Sequence, residues 1–237
     1  MQRRQFITAI GGAFVAASLA AQARAKGSTL SVVATTGMIA DTARRVGGDL
    51  VTVKALMGPG VDPHGYRQTR TDIFAMARAD LVLWNGLYLE AQMEDFLADL
   101  GRKTPVRPVA EGVPAKDLVS HDDYADRFDP HVWMDPALWT YAVAAVRDAM
   151  SEAAPDFADN FAANAETYIA ELTKLAAYTA VSLETVPAET RVLITAHDAF
   201  NYFGRAYGFE VLGIQGISTD SEAGVNRIST LVDMIVE

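Results

Sequence analysis

Leu30-Ser31-Val32-Val33-Ala34-Thr35, followed by the helical spacing of Met38 to Val46 and the Gly47-Gly48 stop, is the unit whose reading decides the fold. A short apolar run without a polar face reads as a buried strand, and the pattern then recurs. Val51 to Leu56 is a second β-branched run, ended by the breaker Gly58-Pro59-Gly60. A helix is expected over about Thr71 to Ala79, a strand over Leu81 to Asn85, a helix from about Ala91 to Leu100, and a short strand near Val106 to Val109. Strands alternating with helices predict a mostly parallel sheet covered on both faces. Ligands in such sheets bind beyond the carboxyl ends of the strands.

Further along, Glu111 to Arg127 is acidic and aperiodic, which reads as a surface loop. Leu138, Tyr141, Ala142, Ala145, Val146, Ala149 and Met150 then mark a helix up to Pro155. A longer apolar stripe, from Phe161 through Leu172 and Leu175 to Val186, predicts a spine helix of about eight turns at about 3.6 residues each. Beyond Pro187 the alternation resumes with strand Arg191 to Thr195, helix Phe200 to Tyr207 and strand Phe209 to Ile214. A polar loop at Ser218 to Gly224 leads to a helix from about Val225. The expected fold is therefore α/β, with two lobes joined by one long helix. The divisions are 26–136 for the first lobe, 137–187 for the helical segment and 188–237 for a second lobe. Two strands leave that last sheet too small to cover itself, so the second lobe is expected to be incomplete in this sequence.

Three of the four histidines occur in related settings: Asp62-Pro63-His64-Gly65-Tyr66, Asp129-Pro130-His131-Val132-Trp133 and Thr195-Ala196-His197-Asp198-Ala199-Phe200. Proline fixes its own backbone angle and restricts the residue before it, so each Asp-Pro-His presents its imidazole in a defined direction. The aspartate is available for a turn hydrogen bond or to accept from the imidazole N–H. His197 follows the apolar run Val192-Leu193-Ile194, which places it at a strand's carboxyl end, and Asp198 is positioned to cap the next helix. Neutral imidazoles suit zinc and related divalent ions, with a carboxylate or water as a further donor. His64, His131 and His197 are thus candidate metal ligands. His121 and its acidic neighbours Asp122, Asp123 and Asp126 read as solvated charge, and Trp133, Trp139, Tyr202 and Phe203 as packing residues. Trp133 is placed to form part of a site wall.

Composition narrows the setting. Half of the 237 residues are apolar, enough for a real core. Residues 1–25 carry the three regions of an export signal: Arg3-Arg4, the run Phe6 to Ala21, and Ala23-Arg24-Ala25. The double arginine resembles a twin-arginine signal, so either that route or ordinary secretion is open. Cleavage after Ala25 removes three arginines, leaving 17 basic against 30 acidic residues and a net charge of −13. So acidic a chain lacks the basic face of a nucleic-acid binder. With no cysteine there is neither a thiolate zinc site nor a lipid-carrying cysteine, and the expected location is free in the periplasm, as a monomer.

Four stretches together carry a family resemblance. They are Asp62 to Tyr66, Asp129-Pro130-His131-Val132-Trp133-Met134-Asp135-Pro136, His197 to Gly208, and Gly216-Ile217-Ser218-Thr219-Asp220-Ser221-Glu222. In this order, from about Leu30 onward, they resemble the zinc- and manganese-binding solute receptors of ABC importers. The resemblance implies two α/β lobes with a divalent metal, zinc or manganese and by extension Fe2+, held between them by His64, His131 and His197. It also implies delivery to an ABC permease in the inner membrane, and no catalysis. The family's fourth ligand, late in the second lobe, has no counterpart in this chain. The long His-rich loop of many zinc receptors is represented by His121 alone. The competing class is a periplasmic three-histidine zinc hydrolase, which needs a general base such as Asp198 or Glu222 and lacks the His-Glu-x-x-His helix. An adhesin-like role would need an adhesive patch, and the sequence offers none.

Overall fold

Leu30–Ala34 forms the first strand, β1, and its side chains divide between two cores. Leu30, Val32 and Ala34 join the larger cluster and Val33 the smaller one on the opposite face. That two-sided burial is what an uninterrupted apolar run requires, because neither face can be left to water. The structure is a computed structural model and describes residues 29–120, 127–219 and 233. The signal read at 1–25, His121 and the acids at 122–126, the end of the Gly216–Glu222 motif and the helix read from Val225 lie outside the described residues, apart from Asp233.

Helix α1, Gly37–Gly47, follows β1, and β2, Val51–Ala55, pairs parallel to it. Gly47 makes that close return possible, since a Cβ there would lie 2.2 Å from a Val51 methyl. Helix α2, Arg70–Arg78, leads to β3, Leu81–Trp84, on the other side of β1. Helix α3, Glu94–Leu100, and β4, Val106–Pro108, complete a parallel sheet of order β2-β1-β3-β4. The expected helix from Ala91 thus starts three residues later. The order in which strands are added reverses between β1 and β3, and it is beyond such a switch point that a crevice opens.

The segment read as a surface loop is only partly one. Val113 is buried, Leu118 and Val119 pack against the core, and Gly112 lies so close to α4 that a Cβ would sit 3.2 Å from Ala145. Helix α4, Pro136–Ala153, is capped by Asp135, whose carboxylate accepts from the Ala137 N–H at 2.8 Å. Its buried stripe runs through Leu138, Trp139, Ala142, Val143, Val146 and Met150 and leaves Tyr141 exposed, a rotation of the expected face. The cause is Trp139, which turns inward and donates its indole N–H to Thr42.

The spine helix is α5, Ala158–Leu183, packed antiparallel on α4. Its apolar stripe is buried only at Phe161, Ala165 and Leu172; Leu175, Tyr178 and Val181 are 47%, 71% and 67% exposed. Strand β5, Val192–His197, helix α6, Asn201–Tyr207, and strand β6, Glu210–Gln215, form a second, two-stranded parallel sheet. Helix α6 lies close on the chain entering β6 at Gly204, where a Cβ would meet the Phe209 carbonyl at 2.7 Å. Among the described residues no helix is long and apolar enough to cross a membrane.

Candidate metal centre

The first histidine stands on a loop fastened at both ends. Leu56 and Met57 donate their N–H groups to Ala34 and Thr35, carrying the chain across the end of β1. After the Gly58–Gly60 turn, the Asp62 carboxylate accepts the His64 N–H at 3.0 Å, closing a turn around Pro63. Beyond it the Tyr66 hydroxyl donates to Asp72 at 2.7 Å, and Asp72 with Thr69 forms the capping box that starts α2. Burial pushes the Asp62 carboxyl up, but the hydrogen bonds from Thr219 and the His64 N–H outweigh it and hold it below the usual carboxylate range.

The second histidine repeats the device and adds a further contact. The buried Asp129 carboxylate accepts from the His131 N–H at 2.8 Å and lies 2.7 Å from its ring Nδ1. A proton on Nδ1 directed at Asp129 leaves Nε2 with a bare lone pair, the form that binds a metal. Asp129 is in turn held from the second sheet: Asn201 Nδ2 donates to Oδ2 at 3.0 Å, and the Tyr202 hydroxyl donates to the Asp129 carbonyl at 2.8 Å.

The third histidine ends β5 and is half-buried. Burial, then the neighbouring His131 ring, push its pKa down, with Asp62, Asp198 and Asp129 opposing. Thr195 donates its hydroxyl to the His197 carbonyl, and the Asp198 N–H reaches Gly216, so the turn is tied to both strands. Asp198 does not cap α6, whose N-cap is Phe200. It lies instead against Gly213, where a Cβ would come within 2.6 Å of its backbone nitrogen.

These elements bring the three candidate histidines together. One ligand atom from each of His64, His131 and His197 lies within 4.8 Å of the others, and among the described residues this is the group that could hold an ion. His64 Nε2 and His131 Nε2 are 3.2 Å apart. Tetrahedral zinc, at about 2.0–2.1 Å from each nitrogen, sets its donors about 3.3 Å apart, so that pair already stands at coordination distance. The rings open onto a hollow of about 310 Å³ whose wall includes Asp62, Trp133, Met134 and Phe200. Trp133 forms part of the wall, as its position beside His131 suggested, with its ring edge-on to the imidazole.

The sequence reading missed the polar ties across the crevice. Tyr202, read as packing, is wholly buried but spends its hydroxyl on Asp129 and accepts from the Val119 N–H. Burial first, and the nearby Asp129 carboxylate, push its phenol well above the usual range. Asn201 and Thr219 act in the same way, Thr219 donating to the outer oxygen of Asp62. The available signal was the placement of these polar residues inside motifs that already held a histidine or followed a strand.

Comparison with known proteins places the chain in a family. The profile of ZnuA, described as zinc-uptake complex component A, periplasmic, matches residues 32–237. The chain is 45% identical over 208 residues to the manganese-binding lipoprotein MntA of Bacillus subtilis, covering 88% of this chain and 68% of that one. It is 44% identical over 206 residues to the zinc-binding protein TroA of Treponema pallidum, covering 87% and 66%. A third relative, at 28% identity over 215 residues, is the manganese ABC transporter substrate-binding lipoprotein PsaA of Streptococcus pneumoniae, with 88% and 69% covered. The solved structure of TroA superposes with a TM-score of 0.84 at 43% identity, covering 87% of this chain and 74% of that one. The chain spans about two thirds of the length of the curated relatives it matches. With the profile running over most of its length and two relatives above 40% identity, the chain belongs to the ZnuA family of metal-binding receptors.

Proposed function

We propose that the protein is an exported binding protein that captures a divalent transition metal between its two sheets and hands it to an ABC permease in the inner membrane. His64, His131 and His197 are the ligands. The carrying observation is the convergence of three imidazole nitrogens from three separate loops, two of them already 3.2 Å apart. Zinc and manganese are the ions in the names of TroA and MntA, and PsaA's name places such a protein with an ABC transporter. Three nitrogen donors favour zinc; a carboxylate or water added to them makes manganese or Fe2+ acceptable. The lobes are read as 26–136 and 188–237 with the helical segment 137–187 between them, and the working form as a periplasmic monomer.

The hydrolase alternative finds no support. Of its nominated bases, Asp198 is not among the residues lining the hollow and Glu222 lies outside the described residues, and the relatives are named for binding metal. Equilibrium dialysis of the chain against zinc and manganese, with metal analysis of both compartments, tests the reading. The expected result is one ion per chain, lost in His131→Ala; no retained ion in the unaltered protein sinks it.

A further inference from the structure

Glu90 is wholly buried, it forms no salt bridge recorded among the described residues, and it lies outside the three-histidine cluster. A carboxyl in that position is costly, and proteins tolerate such groups chiefly where a site needs them. Its hydrogen bonds show what it holds. Oε1 accepts from the Thr35 hydroxyl at 2.6 Å and the Asn85 N–H at 2.8 Å, and Oε2 from the Gly86 N–H at 3.3 Å. Thr35 follows β1 and Asn85 follows β3, so the carboxyl clamps together the two strand ends that flank the switch point.

Both clamped residues lead to the site. Asn85 Nδ2 donates to the Pro130 carbonyl at 3.1 Å, one residue before His131, and also to the Gly86 carbonyl. Thr35 accepts the Met57 N–H at 3.0 Å, at the start of the loop that carries His64. The intervening turn is strained: Gly86, Leu87 and Tyr88 stand in succession at φ 79°, 52° and 67°. For the two non-glycine residues that conformation costs roughly 1–2 kcal/mol each and persists only where the surroundings impose it. Leu87 and Tyr88 are also wall residues, lining a recess shared with His64 and Pro130.

We propose that Glu90 is a positioning residue of the metal centre, acting through Asn85 to fix the Pro130-His131 backbone and through the turn 86–88 to fix the wall beside His64. This rests on the metal-binding reading above. It touches neither the ion nor a ligand. Burial pushes its carboxyl up to about 7 against hydrogen bonds from Asn85, Thr35, its own backbone and Gly86 that favour its ionised form.

The test is a double-mutant cycle in the full chain, read as zinc and manganese affinity by competition with a chromophoric chelator, with thermal melting of the metal-free proteins alongside. Glu90→Gln keeps the volume and one acceptor but turns an N–H toward Gly86. It is expected to weaken binding about 10–100-fold, the range found when partners behind metal ligands are altered. Asn85→Ala should weaken it as much or less, and the double variant no further than Glu90→Gln alone, because Asn85 lies on one of the two routes that Glu90 holds. Thr35→Val, which removes only the hydroxyl, should weaken binding less and provides the same readout if Glu90→Gln does not fold. Unchanged affinity in Glu90→Gln, or in Thr35→Val where Glu90→Gln does not fold, overturns the positioning role. So do additive losses, or losses that track the melting temperature. Failure of the unaltered chain to bind either ion overturns the metal-site reading itself, and this role with it.

Discussion

β1 and β5 are both parallel strands that end near the candidate site, yet β1 is buried on both faces and β5 is half-buried on one and exposed on the other. β1 lies between β2 and β3, with α1, α4 and α5 over one face of its sheet and α2 and α3 over the other. β5 has β6 as its neighbour, and its outer residues Val192 and Ile194 are 45% and 39% exposed, as is Ile214 of β6 at 38%. The histidines follow that division. His64 and His131 are 3% and 1% exposed and stand at coordination distance, whereas His197 is half-buried and hydrogen-bonded through its backbone. A receptor needs donors fixed enough to select an ion and one side free enough to admit it, and the two sheets divide those demands between them.

The largest effect that could break this comparison is on affinity. His131→Ala should reduce zinc binding more than the 10–100-fold typical of partners behind the ligands, to about 1,000-fold or beyond, and His197→Ala should cost less. Equal losses in competition titrations would mean that the sheets contribute alike. Next comes stability. Leu83→Ala in β3 should cost about 2–5 kcal/mol in urea unfolding, because Leu83 is fully enclosed, while Ile194→Ala should cost under about 1 kcal/mol. A large loss at Ile194 would show that its face is covered in solution.

A third effect belongs to the first sheet alone. The Glu90 carboxyl titrates at about 7 when folded against 4.5 ordinarily, so the folded chain binds its proton more tightly than the unfolded one. Stability from this group is therefore full below pH 4.5 and falls as pH rises towards 7, by up to about 3 kcal/mol. Glu90→Gln should flatten that slope in metal-free protein. The smallest effect is at the helix behind His64. Thr69→Ala removes the cap of α2 and should cost about 1 kcal/mol, with little change in affinity.

The strands of the first sheet were legible because Leu30 to Thr35 carries its burial in its composition and Val51 to Leu56 its strand character in β-branched residues, although β2 is half-buried on one face only. The three histidines were legible because proline and aspartate advertise a rigid turn. What could not be read was which part of a stripe is covered. Leu172 and Leu175 share one apolar face of α5, but only the first is buried. Nor does local pattern reveal a hydrogen bond between residues 45 or 73 positions apart, such as Asn85 to Pro130 or Tyr202 to Asp129. Glu90 was unremarkable in sequence for the same reason: its partners are set by the sheet's order, and its neighbours Leu89 and Ala91 suggested an ordinary helix start.

Asp129 accepts from the His131 ring and from Asn201 of helix α6, and this makes it a two-way communication line. An ion that draws electrons from His131 strengthens that ring's N–H as a donor to Asp129, and the same carboxylate is gripped by Asn201. Thermodynamic linkage then runs in both directions: whatever pulls α6 away lowers the affinity of the centre by the same factor by which the ion holds α6 in place. A membrane partner that pries at α6 would therefore not need to reach the ion in order to release it.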